Sequence, residues 1–468
     1  MTLSMTRVQA EKLLSIQNYG LQHSLETDLE DAFRRVTTFL QDQCQAQEQF
    51  TLTLVAEESL FTRFNQAKVR QTGLVQDATL RLTWMRDQRS SYQEFPLTGD
   101  WNFDRDLLQK ALEALRWELP QLPENPYLVF PQGQGSSREV HQGKLLAPSR
   151  VAAHLLPVVS ELDFVGIYAA GLAVRAYADS QGQFHWFATE TYSLDYSLFT
   201  PEGAAVKGTL AGSHWDQASY IAKVQESRNQ LKRLAQPAKR IERGQYRTYL
   251  APTAIAEMLY MLSWGGVSEA DLQQGNSCLA MLRQGDKHLS PKFNLRENFQ
   301  HGLVPRFNEF GEMAPLLLPI IQSGELVNSL ISSKTAKEYG LVANGAEAGE
   351  NLRSPDIAPG NLSHHAILQT LDRGLYLSNL HYLNWSDRPK GRMTGMTRYA
   401  CFWVEDGEIV APIENLRFDD SFYRFWGDQL IGLTDKQEWV PEVGTYGNRS
   451  LGGFWTPGML VEDFTYTL

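Results

Sequence analysis

Two guanidinium groups and two hydroxyls crowd around one glycine in Arg392-Met393-Thr394-Gly395-Met396-Thr397-Arg398. Arginine offers a planar fork of N–H donors that grips a carboxylate through both oxygens, and a threonine hydroxyl both donates and accepts. Arg392, Thr394, Thr397 and Arg398 therefore form a candidate surface for the backbone or terminal carboxylate of an extended peptide. Asn379 and His381 lie just upstream, on one face of an expected strand with Leu377, and complete this candidate peptide-binding set. The competing readings are a loop with a structural role only and, for His381, a satisfied core or surface histidine.

Glu257 is a weak candidate for acid–base catalysis. It stands on an expected helix whose apolar stripe is Ile255, Met258, Leu259 and Leu262, and it projects away from that stripe. With no metal-bound water to deprotonate, it reads instead as a surface carboxylate. Cys401 with His381 as its base would make a thiol nucleophile, but a cysteine within a strand packs as a small apolar residue unless something lowers its pKa. His364 and His365 are adjacent on an extended segment, so their rings point to opposite faces and do not converge on one ion. Gly133 to Ser137 lacks the third glycine, the lysine and the following helix of a phosphate cradle. The three cysteines, Cys44, Cys278 and Cys401, are too far apart to suggest a ligand cluster or a disulfide framework.

These residues must be positioned by elements that the pattern also announces. Tyr399 to Val404 alternates, Asp406-Gly407 is a type I′ turn dipeptide, and Glu408 to Ile413 returns, so Arg392 to Arg398 is expected at a hairpin entrance. Earlier in the chain, helical spacing up to about Gln43 gives way to strands near Phe50 to Val55, Ala67 to Gln71 and Thr79 to Trp84, and Asp104 to Trp117 returns to helix. After a polar loop, Pro131 to Lys144, a helix around Ser149 to Val159 leads into strands near Phe164 to Ala169, Ala173 to Ala178 and Phe184 to Thr189, the pattern of an antiparallel meander. A solvated helix over His214 to Leu234 ends in a charged segment opened by Pro237, a reasonable domain boundary. The expectation is an α+β fold of two domains: residues 1–237 with helices and antiparallel sheet, and residues 238–468 rich in strands.

Asn379, Thr394-Gly395, Arg398, Phe402-Trp403 and Glu405-Asp406-Gly407-Glu408 together resemble the C-terminal half of the TldD/PmbA family, the modulator-of-gyrase proteins associated with a cytosolic metallopeptidase. Leu60 to Trp84 is similar to that family's N-terminal signature. Ala251 to Leu262, with Gly275-Asn276-Ser277 and Ser290-Pro291, is similar to the helix and loop that open its C-terminal half. In the TldD branch this helix carries a His-Glu-x-x-x-His metal motif, with a further Cys near the C-terminus. Here the matching run is Ala256-Glu257-Met258-Leu259-Tyr260-Met261, no His lies between His214 and His288, and no Cys follows Cys401. Alanine and methionine offer zinc no ordinary ligand. The resemblance therefore points to the PmbA, or TldE, branch: no metal or cofactor in this chain, zinc in a TldD-type partner, and small unfolded peptides as substrate. The partner would be that homologue or a second copy of this chain. Rival expectations are a stand-alone hydrolase using Glu257, His381 or Cys401, and a non-enzymatic peptide-binding homodimer.

Composition narrows the setting. A chain of 468 residues with 43% hydrophobic content can bury a large core. A net charge of −11 disfavours non-specific attachment to nucleic acid or an anionic membrane. The first residues lack the apolar stretch of a signal peptide, and the longest apolar run, Ala314 to Ile321, is too short to span a bilayer. A reducing cytoplasm is the expected compartment.

Overall fold

The structure, a computed structural model, describes residues 20–133 and 135–467, with side chains from Glu26 onward. The helical pattern ahead of Gly20, and Gln134 of the glycine-serine loop, lie outside the described residues. The fold is α+β and carries two sheets.

The first sheet comprises β1 (Gln49–Asn65), β2 (Lys68–Arg86), β3 (Arg89–Pro96), β4 (Ser136–His141), β5 (Asp163–Asp179), β6 (Phe184–Phe199) and β7 (Ala205–Gly212). Its order is β3-β2-β1-β5-β6-β4, with β7 also paired to β6, and only the β4–β6 pair is parallel. Helices α1 (Gly20–Gln43) and α2 (Trp101–Glu118) cover one part of it, burying Phe33, Val36 and Leu40 with Leu108, Leu112 and Leu115 against Phe50, Leu52 and Trp84. Asp100 starts α2 by accepting from the Asn102 and Phe103 amides, two of the donors that a helix start leaves unpaired. Helices α3 (Val151–Val159) and α4 (Gln217–Leu234) seal a second cluster around Tyr168 and Tyr196.

Three local expectations change. The stretches around Phe164 and Ala173 are one continuous strand, β5, because Gly171 is no turn. It passes so close to β1 that a Cβ there would lie 1.9 Å from the Glu58 carbonyl oxygen. The stretches around Ala67 and Thr79 likewise join as β2, whose first ten residues show no alternation because both faces are exposed there. The polar loop from Pro131 contains β4, held by β6 rather than by any apolar pattern of its own.

The second sheet takes all its strands from after residue 243: β8 (Gly244–Leu250), β9 (Leu295–Asn298), β10 (Leu317–Gln322), β11 (Glu325–Leu326), β12 (Pro355–Ile357), β13 (Gly374–Asp387), β14 (Arg392–Glu405), β15 (Glu408–Pro412), β16 (Arg417–Ser421), β17 (Leu430–Pro441) and β18 (Gly453–Tyr466). β8 pairs with both β13 and β18, which closes β8, β13, β14, β16 and β18 into a ring. Asp406 and Gly407 sit at φ of 53° and 73°, the positive pair that a type I′ turn requires, between β14 and β15. Helix α5 (Pro252–Gly265) packs on this ring through Ile255, Met258, Leu259 and Leu262. No helix among the described residues is long and apolar enough to cross a membrane.

Candidate functional site

Almost every side of α5 is buried. The exceptions are Glu257, Tyr260 and Trp264, spaced three and four residues apart and so aligned on one face. That face borders a cavity of 420 Å³ whose walls come from both sheets: Asp195, Lys207 and Thr209 from β6 and β7, and Asn379, His381 and Tyr399 from β13 and β14. A neighbouring cavity of 800 Å³ shares Tyr260, Glu442 and Phe454 with it and runs on between the sheets past Arg175 and Arg353.

Strand irregularity aims the side chains. In a regular strand, neighbouring residues face opposite ways, yet Asn379, Leu380 and His381 all line the smaller cavity. The pairing of β13 with β14 slips between Leu377 and Asn379 and again between His381 and Asn384. Tyr399 and Tyr382 take up these slips at φ of 62° and 54°. Bulges of this kind redirect side chains, and the one at Tyr399 brings that residue into the cavity wall beside Asn379.

The cavity is polar and carries both signs of charge. Lys207 and Asp195 pair at 2.5 Å, and the Thr209 hydroxyl donates to the same carboxylate at 3.1 Å. Glu257 is open to the cavity but walled in by protein, so burial raises its pKa; Glu442 raises it further and Lys207 opposes. Burial also raises Glu442. Both carboxyls thus hold their protons to higher pH than a free glutamate and can donate as well as accept. His381 is pushed the other way, by burial and then by Arg398, which favours the neutral imidazole. Such a mix of donors and acceptors can hydrogen-bond the N–H and C=O groups of an extended polypeptide backbone.

The expected site residues separate into two groups. Asn379, His381 and Glu257 meet in the cavity, and Arg398 stands exposed at their edge, its guanidinium 5.0 Å over the Tyr399 ring and opposite Asn379 in register. The other three serve the pairing of β14 with β16. Arg392 bonds Asp419 at 2.5 Å, the Thr394 hydroxyl donates to the Phe418 carbonyl at 2.8 Å, and the buried Thr397 hydroxyl accepts from the Leu416 amide at 2.8 Å. Both edges of β14 are occupied there, by β13 and β16, so no peptide strand can add at that point. Sequence reading did not find Asp195, Lys207, Glu442 or Arg175. Asp195 and Lys207 meet only across a hairpin, and no short spacing marks any of the four.

Cys401 lines neither cavity, and burial pushes its thiol up to about 11. Its thiol donates to the Arg398 carbonyl oxygen at 3.2 Å, a hydrogen bond that keeps the proton on sulfur rather than activating it. We expect alkylation of the native protein near pH 8 to modify the half-buried Cys44 first and to spare Cys278 and Cys401 until denaturant is added, as peptide mapping would read. Rapid native modification of Cys401 would contradict this burial.

Zinc does not fit this donor set. Glu257, Glu442 and His381 share the cavity, but among the described residues no three His, Cys, Asp or Glu side chains gather into a metal-holding group. Zinc sites need three or four such donors around one point.

Residues 243–468 match the profile of the PmbA/TldA metallopeptidase C-terminal domain. Among solved structures, TldE from Thermococcus kodakarensis is similar with a TM-score of 0.75 and 15% identity, over 93% of this chain and 100% of that one. A candidate modulator of a DNA gyrase from Thermotoga maritima gives 0.73 and 14%, over 94% and 100%. A candidate modulator of DNA gyrase from Bacteroides thetaiotaomicron gives 0.73 and 14%, over 93% and 98%. At such identities these likenesses establish a shared fold. No curated protein matches the chain in sequence.

Proposed function

The chain belongs to the TldD/PmbA family, and from that membership we propose that it is the non-metal, TldE-like subunit of a cytoplasmic peptidase assembly acting on small unstructured peptides. One observation carries the reading. The open face of α5 borders the cavities between the sheets, yet it presents one carboxylate where the family's metal-bearing members present a ligand set. The chemistry then belongs to a metal-bearing, TldD-type homologue. This chain holds and orients the peptide: Asn379 and neutral His381 bond the backbone, and Arg398 and the guanidinium of Arg175 attract carboxylate. Arg175 suits that task, because it lines the larger cavity and, among the described residues, its hydrogen bonds run to the Val174 carbonyl at 2.9 Å and, at longer distance, to Asn448 and Arg449.

Co-expression with a TldD-type homologue, followed by size-exclusion chromatography and a peptide cleavage assay, tests this. Cleavage is expected only when both chains are present and co-elute, and Arg398→Ala in this chain should lower kcat/KM about tenfold, the loss of one charge-assisted contact. Cleavage by this chain alone would favour the stand-alone hydrolase. Separate elution with no effect of Arg398→Ala would sink the partner-subunit reading.

A further inference from the structure

At 800 Å³ the larger cavity has the volume of a ligand site, roughly 300–1,000 Å³, and much of its wall is apolar. Tyr260 and Trp264 of α5 line it with Val304, Leu451 and Phe454. The two α5 rings are 55% and 39% exposed on a helix that is otherwise buried, and so offer contact area to an aromatic or aliphatic group. Two guanidinium groups line the same cavity, and they differ in what they have to spare. Arg353 spends both of its terminal nitrogens on four carbonyl oxygens, those of Pro305, Arg306, Phe307 and Gly345. Arg175 makes one bond of ordinary length, to Val174 beside it in the chain, and two at 3.3 and 3.4 Å to Arg449 and Asn448.

Charge singles out the same residue. Arg175 and Arg449 share one buried carboxylate, Glu57, and it is Arg449 that pairs with it, at 3.7 Å. One positive charge is left over at the cavity wall. The carboxyls of the cavity do not cancel it by direct contact. Glu309 accepts from the Ala348 amide at 2.8 Å and Glu347 from the Asn351 side-chain amide at 3.2 Å, and among the described residues neither they nor Glu442 forms an ion pair with Arg175. Arg175 is half-buried, so an anion meeting it there is less screened by water than one on an open surface. A carboxylate matches the guanidinium fork through both oxygens.

We propose that the larger cavity receives the free carboxyl terminus of a peptide whose last residue is aromatic or large and aliphatic, with the α-carboxylate on Arg175 and the side chain against Tyr260, Trp264 and Phe454. The assignment rests on the reading of this chain as the peptide-holding subunit and adds to it a substrate class and a chain direction. The carboxyl end lies in the larger cavity, and the residues before it pass Tyr260 and Glu442 into the smaller one, where Asn379 and His381 meet the backbone.

Fluorescence anisotropy of the full chain with a fluorescein-labelled alanine peptide ending in phenylalanine tests this. The free acid is expected to bind about tenfold more tightly than its C-terminal amide, the worth of one charge-assisted pair. It should also bind about tenfold more tightly than the acid ending in glycine, which has no side chain to bury. Arg175→Gln should abolish the difference between acid and amide, and Arg175→Lys should keep part of it, with the urea midpoint of each variant reporting on the seam. Trp264→Ala should remove the preference for phenylalanine and leave the preference for the acid. Equal binding of acid and amide by the unaltered chain, equal binding of the phenylalanine and glycine acids, or an acid preference that survives Arg175→Gln would each overturn the proposal while the peptide-holding reading stands. Failure of all three peptides to bind would remove both.

Discussion

Arg449→Ala is expected to cost about 3–5 kcal/mol of stability, read as a lower urea midpoint with an unchanged slope, which would make it among the most damaging single changes in this chain. Arg449 lies in the connection between β17 and β18 and is only 4% exposed. Its Nε donates to the Ser59 hydroxyl at 2.8 Å, Nη1 to the Thr191 carbonyl at 3.1 Å, and Nη2 to the Gly171 carbonyl at 2.8 Å. Buried Glu57 is its counter-charge at 3.7 Å. Burial pulls the guanidinium down to about 10, with Glu57 opposing and Arg175 adding to the fall, so it stays charged at neutral pH. Truncation would leave a buried carboxylate and four acceptors, the Thr191 hydroxyl at 3.0 Å among them, without their donor, and the cost lies in those abandoned partners more than in the bond itself. The same connection supplies Glu442 and Leu451 to the cavity walls, so one buried arginine from the second sheet fixes both the seam and the site. A shift of less than about 1 kcal/mol would show that the seam does not depend on it.

Gly171→Ala should be comparably severe, at about 4 kcal/mol or more. The added Cβ would sit 1.9 Å from the Glu58 carbonyl oxygen, at the centre of the β1–β5 pairing and beside the carbonyl that receives Arg449. Backbone on both sides is held by continuous hydrogen bonding and cannot give way as a flexible side chain would. Gly182→Ala is the control. That glycine turns the corner between β5 and β6 at φ +87° with open space where its Cβ would stand, so its cost should be only about 1 kcal/mol, from backbone strain. Equal midpoints for the two variants would show that close approach, as distinct from φ, is not what Gly171 provides.

Some of this molecule is determined by sequence that is local in effect. Asp406-Gly407 dictates its own turn because few residues tolerate positive φ at both positions. The stripes of α2 and α5 follow from a period of 3.6 residues that needs no distant partner to be recognised. The lack of His and Cys along α5 is likewise a property of composition, and no fold could supply ligands that the helix does not carry.

What only the tertiary structure decided lies where residues far apart in the chain meet. Arg392, Thr394 and Thr397 have the chemistry of a peptide-binding surface, but β16 reaches their backbone and side chains first. Gly171 has the look of a turn, but the approach of β1 makes it the middle of a strand. The cavity walls come from β6, β7, α5, β13, β14 and the Arg449 connection, and paired bulges at Tyr382 and Tyr399 set which way their side chains face. A hydroxyl or a guanidinium bonds whichever partner the fold brings within about 3 Å, and backbone strain persists only where surrounding packing enforces it. Neither quantity is a function of neighbours in the chain, which is why residue type announced the chemistry available to this protein and long-range packing assigned it to particular residues.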